Sequence, residues 1–278
     1  MIRRPAHPVR LLATALTAGA LLTTAACSDG AGDTPGAAQA ASSPAAEPAA
    51  QTTSPTPSPS PGTLSEDGAQ MALLTEADLE DDWQQVDDAD QWQDELLIDD
   101  VDVDAFLTAQ TDAEDCQQLL DNLYGEELLG KPSGASAFTG FEMGDSRLLE
   151  QVAVYDKDTL DDSMKWLKDL PTQCDEFTAT DDAGDERTIQ VVETSLPDVG
   201  DDRQGLEVTV RGQADGSPAT LTLTVAAVRV GDNALNITGG GLDGGQKDSV
   251  EQGTEAGTQR LEDVLAGRTP SPQPTNAY

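Results

Sequence analysis

The run Ala219-Thr220-Leu221-Thr222-Leu223-Thr224-Val225-Ala226-Ala227-Val228-Arg229-Val230 carries the clearest fold signal in the chain. Leu221, Leu223 and Val225 alternate with threonines, so as a strand this run turns one side to a core and the other to water. The phase slips across Ala226-Ala227 before Val228 and Val230, which predicts a β-bulge. Asp215-Gly216 is a turn signal that joins it to a strand over 206–211, and a further strand over 234–238 follows it. Strands over 148–155 and 188–193 lie upstream. Consecutive strands with short links pair antiparallel, because parallel neighbours need a long crossover.

Helix signals surround these strands. Thr75 with Asp78 three residues on, flanked by Leu74 and Leu79 as a hydrophobic staple, marks a helix start. Thr111 and Glu114 form a capping-box pattern ahead of Cys116, Leu119, Leu120 and Leu123, which share one helical face, and Gly125 supplies a stop. A third helix is expected over 158–170, capped by Asp158, burying Leu160, Met164 and Leu167, and ended by Pro171. A last one is expected over 246–265, burying Val250, Leu261, Val264 and Leu265, with Gly253 and Gly257 permitting close approach to a sheet. The fold class expected is therefore α+β: an antiparallel sheet with helices packed on one face, a single domain behind a disordered linker.

Working outward to the N-terminus, residues 1–26 read as a lipoprotein signal peptide. Arg3, Arg4 and Arg10 form a basic region, Leu11 to Leu22 an apolar stretch too short to span a bilayer comfortably, and small residues follow. Thr24-Ala25-Ala26-Cys27 resembles a bacterial lipobox, which implies that the Cys27 thiol is lipidated and becomes the mature N-terminus. The alternative is an ordinary secretory signal with an incidental cysteine. Two or three acyl chains would hold the protein stably at the extracytoplasmic face of the cell membrane, where membrane lipid is its first partner. The Arg pair leaves the export route, general or twin-arginine, open.

Residues 27–63 are rich in Ala, Ser, Thr and Pro and contain no aromatic side chain, so they cannot bury enough apolar surface to offset their ordering entropy. Extended, such a tether reaches on the order of 100 Å. The head domain is expected over 64–268, with a disordered tail over 269–278. Lipidation of Cys27 leaves Cys116 and Cys174, an even number in an oxidising compartment, and they are expected to form a disulfide worth about 4 kcal/mol. Two buried free thiols are the alternative.

Charge narrows the function. Fifteen Lys and Arg face 52 Asp and Glu, for a net charge of −37. Removing the three leader arginines leaves 12 basic residues and a net charge of −40. Such a field repels nucleic acid, which is not an expected partner. His7 is the only histidine and lies in the leader, so a mature chain has no Ser-His-Asp, Cys-His or histidine-ligated zinc site. No Gly-x-Ser-x-Gly elbow or Ser-x-x-Lys motif is present, and the expectation is a protein that is not an enzyme and needs no cofactor.

Two motifs invite chemistry. Gly239-Gly240-Gly241-Leu242-Asp243-Gly244 matches the dinucleotide fingerprint in form, but no second parallel strand follows, and a flexible glycine connection is the better reading. Asp100-Val101-Asp102-Val103-Asp104 resembles the start of a calcium loop but has Ala105 where glycine is required and Thr111 where a bidentate Glu is required. The acidic stretch 76–104 leaves room for weak Ca²⁺ or Mg²⁺ binding, without a metal site, against a solvated acidic surface.

The order of Leu73-Leu74-Thr75-Glu76-Ala77-Asp78-Leu79, a helix carrying Cys116, the strand Gln151-Val152-Ala153-Val154-Tyr155 and a helix ending near Cys174 resembles the extracellular sensor domains of actinobacterial lipoproteins and PknH-type receptor kinases. The resemblance implies a ligand-binding or sensing module with an antiparallel sheet, flanking helices, disulfides and a cleft, although this sequence offers only one possible bridge. It transfers no ligand residue. The function expected is a membrane-anchored lipoprotein whose non-catalytic head binds an unidentified envelope ligand or partner. The alternatives are a lipid or glycolipid carrier with an apolar cavity and an envelope interaction protein without a small ligand.

Overall fold

The computed structural model describes residues 62, 64–79, 82–87, 89, 97–98, 101–102, 111, 113–123, 127–180, 184, 186–214, 217–242 and 244–271. The leader, Cys27, the linker before Gly62, Gly125, Asp215-Gly216 and most of the 100–104 acidic motif lie outside the described residues.

Eight strands form one antiparallel sheet in the order β1-β4-β5-β10-β9-β8-β7-β6, where β1 is Gln84–Val86, β4 Ser136–Met143, β5 Ser146–Val154, β6 Glu176–Thr180, β7 Glu186–Thr194, β8 Asp202–Ala214, β9 Ser217–Val230 and β10 Asn233–Gly241. A separate two-strand ladder pairs β2, Leu97–Ile98, with β3, Val101–Asp102. Among the described residues the helices are α1 (Glu66–Ala72), α2 (Glu114–Asn122), α3 (Lys157–Gln173) and α4 (Lys247–Leu265), with a 3₁₀ turn at Glu76–Asp78. The α+β class and the antiparallel sheet are those expected from the sequence.

The helices, expected on one face, divide between both. Along β5, Leu148 and Val152 belong to one core and Leu149 and Ala153 to the other, so adjacent residues point into different clusters. α1 and α4 cover the first face through Ala69, Ala72, Val250, Ala256 and Leu261. α2 and α3 cover the second through Cys116, Leu119, Leu120, Leu160, Met164 and Leu167. Each buried Val, Leu or Met among these contributes roughly 1.5–3 kcal/mol, and each Ala less.

This double cover also removes the expected bulge at Ala226-Ala227. β9 pairs without interruption with both β8 and β10 across those residues. The alternation stops because residues 224–228 are buried on both sides, Ala226 and Val228 beneath α4 and Val225 and Ala227 facing the α2–α3 core.

Local signals hold with shifted boundaries. The Thr75–Asp78 capping box is present but caps one 3₁₀ turn. Thr111 reaches the start of α2 through Gln117, whose side-chain oxygen accepts from the Thr111 N–H at 2.8 Å, and Ala113 rather than Thr111 is the N-cap. Asp156, not Asp158, precedes α3, and Pro171 sits inside its last turn instead of ending it. Proline there removes only one donor of a helix that closes three residues later at Cys174, whose N–H bonds the Leu170 carbonyl at 2.7 Å. Cys174 joins Cys116 in a disulfide with Cα atoms 5.6 Å apart, tying α2 to the end of α3.

The glycine run is not a flexible connection. Gly239 and Gly240 are β10 residues paired with both β5 and β9, and Gly241 ends the strand opposite Ser146 of β5. Gly240 has φ +148°, and a Cβ there would lie 2.1 Å from the Thr222 carbonyl oxygen, so the close strand contact admits only glycine.

Candidate functional site

A cleft of about 710 Å³ opens at the β1–β4 edge of the sheet. Its polar lining is Gln70, Glu76, Gln85, Asp87, Ser136 and Thr139, and its apolar lining comes from Leu73, Val86, Ala89, Ala137 and Phe138. It is built from the Leu73–Leu79 entry segment on one side and the end of β4 on the other. Gln85 joins the two, its N–H donating to Glu76 Oε1 and its side-chain amide to Thr139 Oγ1, each at 2.9 Å.

The wall carrying Leu73 and Glu76 is positioned by a buried polar network behind it. Arg260 on α4 donates from Nε to the Leu73 carbonyl at 2.6 Å and from Nη2 to the Met71 carbonyl at 3.0 Å. Its Nη1 lies 3.3 Å from Asp78 Oδ2, and both side chains are buried. Asp78 also accepts from the Thr75 N–H and hydroxyl at 2.9 and 2.7 Å, while its own carbonyl accepts from Gln252 Nε2 at 3.2 Å. One arginine thus fastens a turn-bearing segment and supplies a donor to the buried Leu73 carbonyl.

Glu150 completes the network. It lies on β5 directly opposite Thr139 of the cleft floor, fully buried, and its Oε2 accepts from the Leu74 N–H at 2.6 Å. Gly257 of α4 passes so close that a Cβ there would be 2.6 Å from Glu150 Oε1. Burial raises the carboxyl from its ordinary 4.5 to about 8, a rise that the Leu74 hydrogen bond and the Arg260 charge oppose and the Asp78 charge reinforces. At neutral pH the carboxylic acid is therefore mostly protonated.

Of the residues singled out in the sequence, Thr75, Asp78, Leu74 and Leu79 fall beside the cleft, whereas the Cys116–Cys174 bridge lies in the core on the opposite sheet face. Among the described residues no cluster of three or more His, Cys, Asp or Glu is arranged to hold a metal. The β4 edge was missed from the sequence because Gly140 and three polar residues dilute its alternation. The overlooked signal is Gly144-Asp145, the two-residue turn that pairs Met143 with Ser146. Arg260 and Glu150 carry no local signal, since their partners are 187 and 76 residues away. No protein-family model matches this chain, and no curated protein matches it either.

Proposed function

We propose that this protein is a lipid-anchored, extracytoplasmic binding protein of the cell envelope, non-catalytic, with the cleft at the β1–β4 edge as its ligand- or partner-binding site. The observation that carries the reading is the open cleft itself, walled by a segment that a buried arginine and two buried carboxyl groups hold in place. A positioned wall with exposed polar groups suits recognition, because little ordering remains to be done on binding. The mixed, mainly polar lining favours a polar ligand over the acyl chains a carrier would take. The lipobox-like Thr24–Cys27 and the Ser/Thr/Pro tether support the anchor and its reach, and the sensor-domain resemblance supports the binding role.

Two measurements test the halves of this reading. Intact mass spectrometry of the membrane fraction is expected to show a chain beginning at Cys27 with a diacylglyceryl mass increment, and an unacylated N-terminus removes the anchor. Native mass spectrometry of gently purified protein is expected to show a polar occupant that is lost when Thr139→Trp fills the cleft. A bound lipid retained in that variant would support the carrier instead.

A further inference from the structure

β1 covers only part of the outer edge of β4. Gln84, Gln85 and Val86 stand opposite Glu142, Phe141 and Gly140, so pairing stops at Gly140 while β4 extends to Ser136. In an antiparallel ladder, successive residues turn their backbone groups alternately to one neighbour and the other. The odd-numbered residues of this strand face β5: the Val154 N–H donates to the Ala135 carbonyl at 2.9 Å, and Met143 pairs with Ser146 across a two-residue turn. The Gln85 N–H, pointing away from β4 to Glu76, fits the same phase. The N–H and C=O groups of Ser136 and Phe138 therefore face outward into the cleft, and among the described residues they have no backbone partner on that side.

An open strand edge inside a cleft is a template for another extended chain. Charge selects which chain. Among the described residues the lining holds two carboxylates, Glu76 and Asp87, and no Lys or Arg. The sequence has no basic residue from position 11 to 130 and a net charge of −37. An anionic partner is repelled and a cationic one attracted. The two faces of the edge differ as well. Phe138 and Val86 pack toward the α2–α3 core, while Ala137 and Leu73 belong to the α1–α4 side, next to Glu76.

We propose that the cleft binds an extended lysine- or arginine-bearing polypeptide segment, which adds as a strand to β4 at Ser136 and Phe138 in the position that continues β1. The proposal rests on the cleft being the binding site and names the class of its ligand. The bound segment alternates: apolar side chains lie beside Phe138 and Val86, and basic ones on the Glu76 side.

A displayed library of random dodecapeptides selected on the immobilised full chain tests this. Enriched sequences are expected to alternate basic with β-branched or aromatic residues and to lack proline at the bonded positions. A synthetic peptide of the enriched sequence should slow amide exchange at Ser136 and Phe138 by about tenfold or more, and methylating its bonded amide nitrogens should abolish binding while methylating the intervening ones should not. Asp87→Lys should weaken binding about tenfold. Enrichment of acidic or proline-rich sequences, protection at β6 instead of β4, or slow exchange of Ser136 and Phe138 in the unbound chain would overturn the proposal. So would no enrichment over bare support. In that case a small polar molecule that protects Leu73 and Gln85 would leave the binding site standing without its polypeptide ligand, and the absence of any occupant would remove both.

Discussion

Glu150 makes the stability of this fold fall as pH rises through neutrality. Its carboxyl is raised from 4.5 to about 8 because burial penalises the anion more than the Leu74 N–H and Arg260 stabilise it. Below about pH 4.5 folded and unfolded chains both hold the proton, and the contribution is fully present. Between there and about 8 the folded chain holds a proton that the unfolded chain has released, so stability drops by about 1.4 kcal/mol per pH unit. Above 8 the folded carboxyl ionises too, and the drop levels off after a total of about 5 kcal/mol. The interval from pH 6 to 8 accounts for about 2 kcal/mol, which at an m-value of about 2 kcal/mol/M lowers the urea midpoint by about 1 M. Tryptophan fluorescence follows the transition, since Trp83 is buried and Trp166 packs against the core. The only side chain of the sequence with an ordinary pKa in that interval is the single histidine, His7, and Glu150→Gln separates the two. The variant should lose the slope and exceed the wild type in stability at pH 8.5. A wild-type midpoint that is flat between pH 6 and 8, or a slope retained in Glu150→Gln, would refute the assignment of a buried neutral carboxyl.

Other consequences follow from the same geometry. Arg260→Ala leaves Asp78 buried without its cation and the Leu73 and Met71 carbonyls without a donor, so it should cost about 3–5 kcal/mol in urea unfolding and speed amide exchange over residues 71–78. Cys116→Ser with Cys174→Ser opens a bridge between residues 58 apart in sequence and should cost about 4 kcal/mol, matched by wild type in reductant. Gly240→Ala, with φ +148° and the Thr222 oxygen in the way, should cost at least about 3 kcal/mol in thermal unfolding. Lys157 and Arg229 hold the exposed Asp161 below the ordinary carboxylate range, a contribution present above its unfolded pKa and lost as pH falls. Asp161→Asn should therefore flatten the acid limb of the stability profile.

Where a structural feature depends on residues close in sequence, it could be read directly. The Leu221–Val225 alternation marked its strand, the Thr75–Asp78 box marked its turn, and Leu160, Met164 and Leu167 marked the buried side of α3. With Cys27 set aside as the lipidation candidate, the two remaining cysteines were enough to propose a bridge that the fold contains. Misreadings arose where a second layer covers a strand. Ala226-Ala227 reads as a bulge only if one side of β9 is wet, and α4 lies on the side assumed to be wet.

The sequence by itself determined the α+β class, the antiparallel pairing and the acidic field, because periodicity, short connections and charge are local or additive. Only the tertiary structure decided that helices cover both faces and that β1 ends before β4 does. It alone brings Arg260 to Leu73 and Glu150 to Leu74 across 187 and 76 residues. A carboxyl becomes neutral at pH 7, and a strand edge opens into a cleft, through what surrounds them in space, and no local pattern encodes those surroundings.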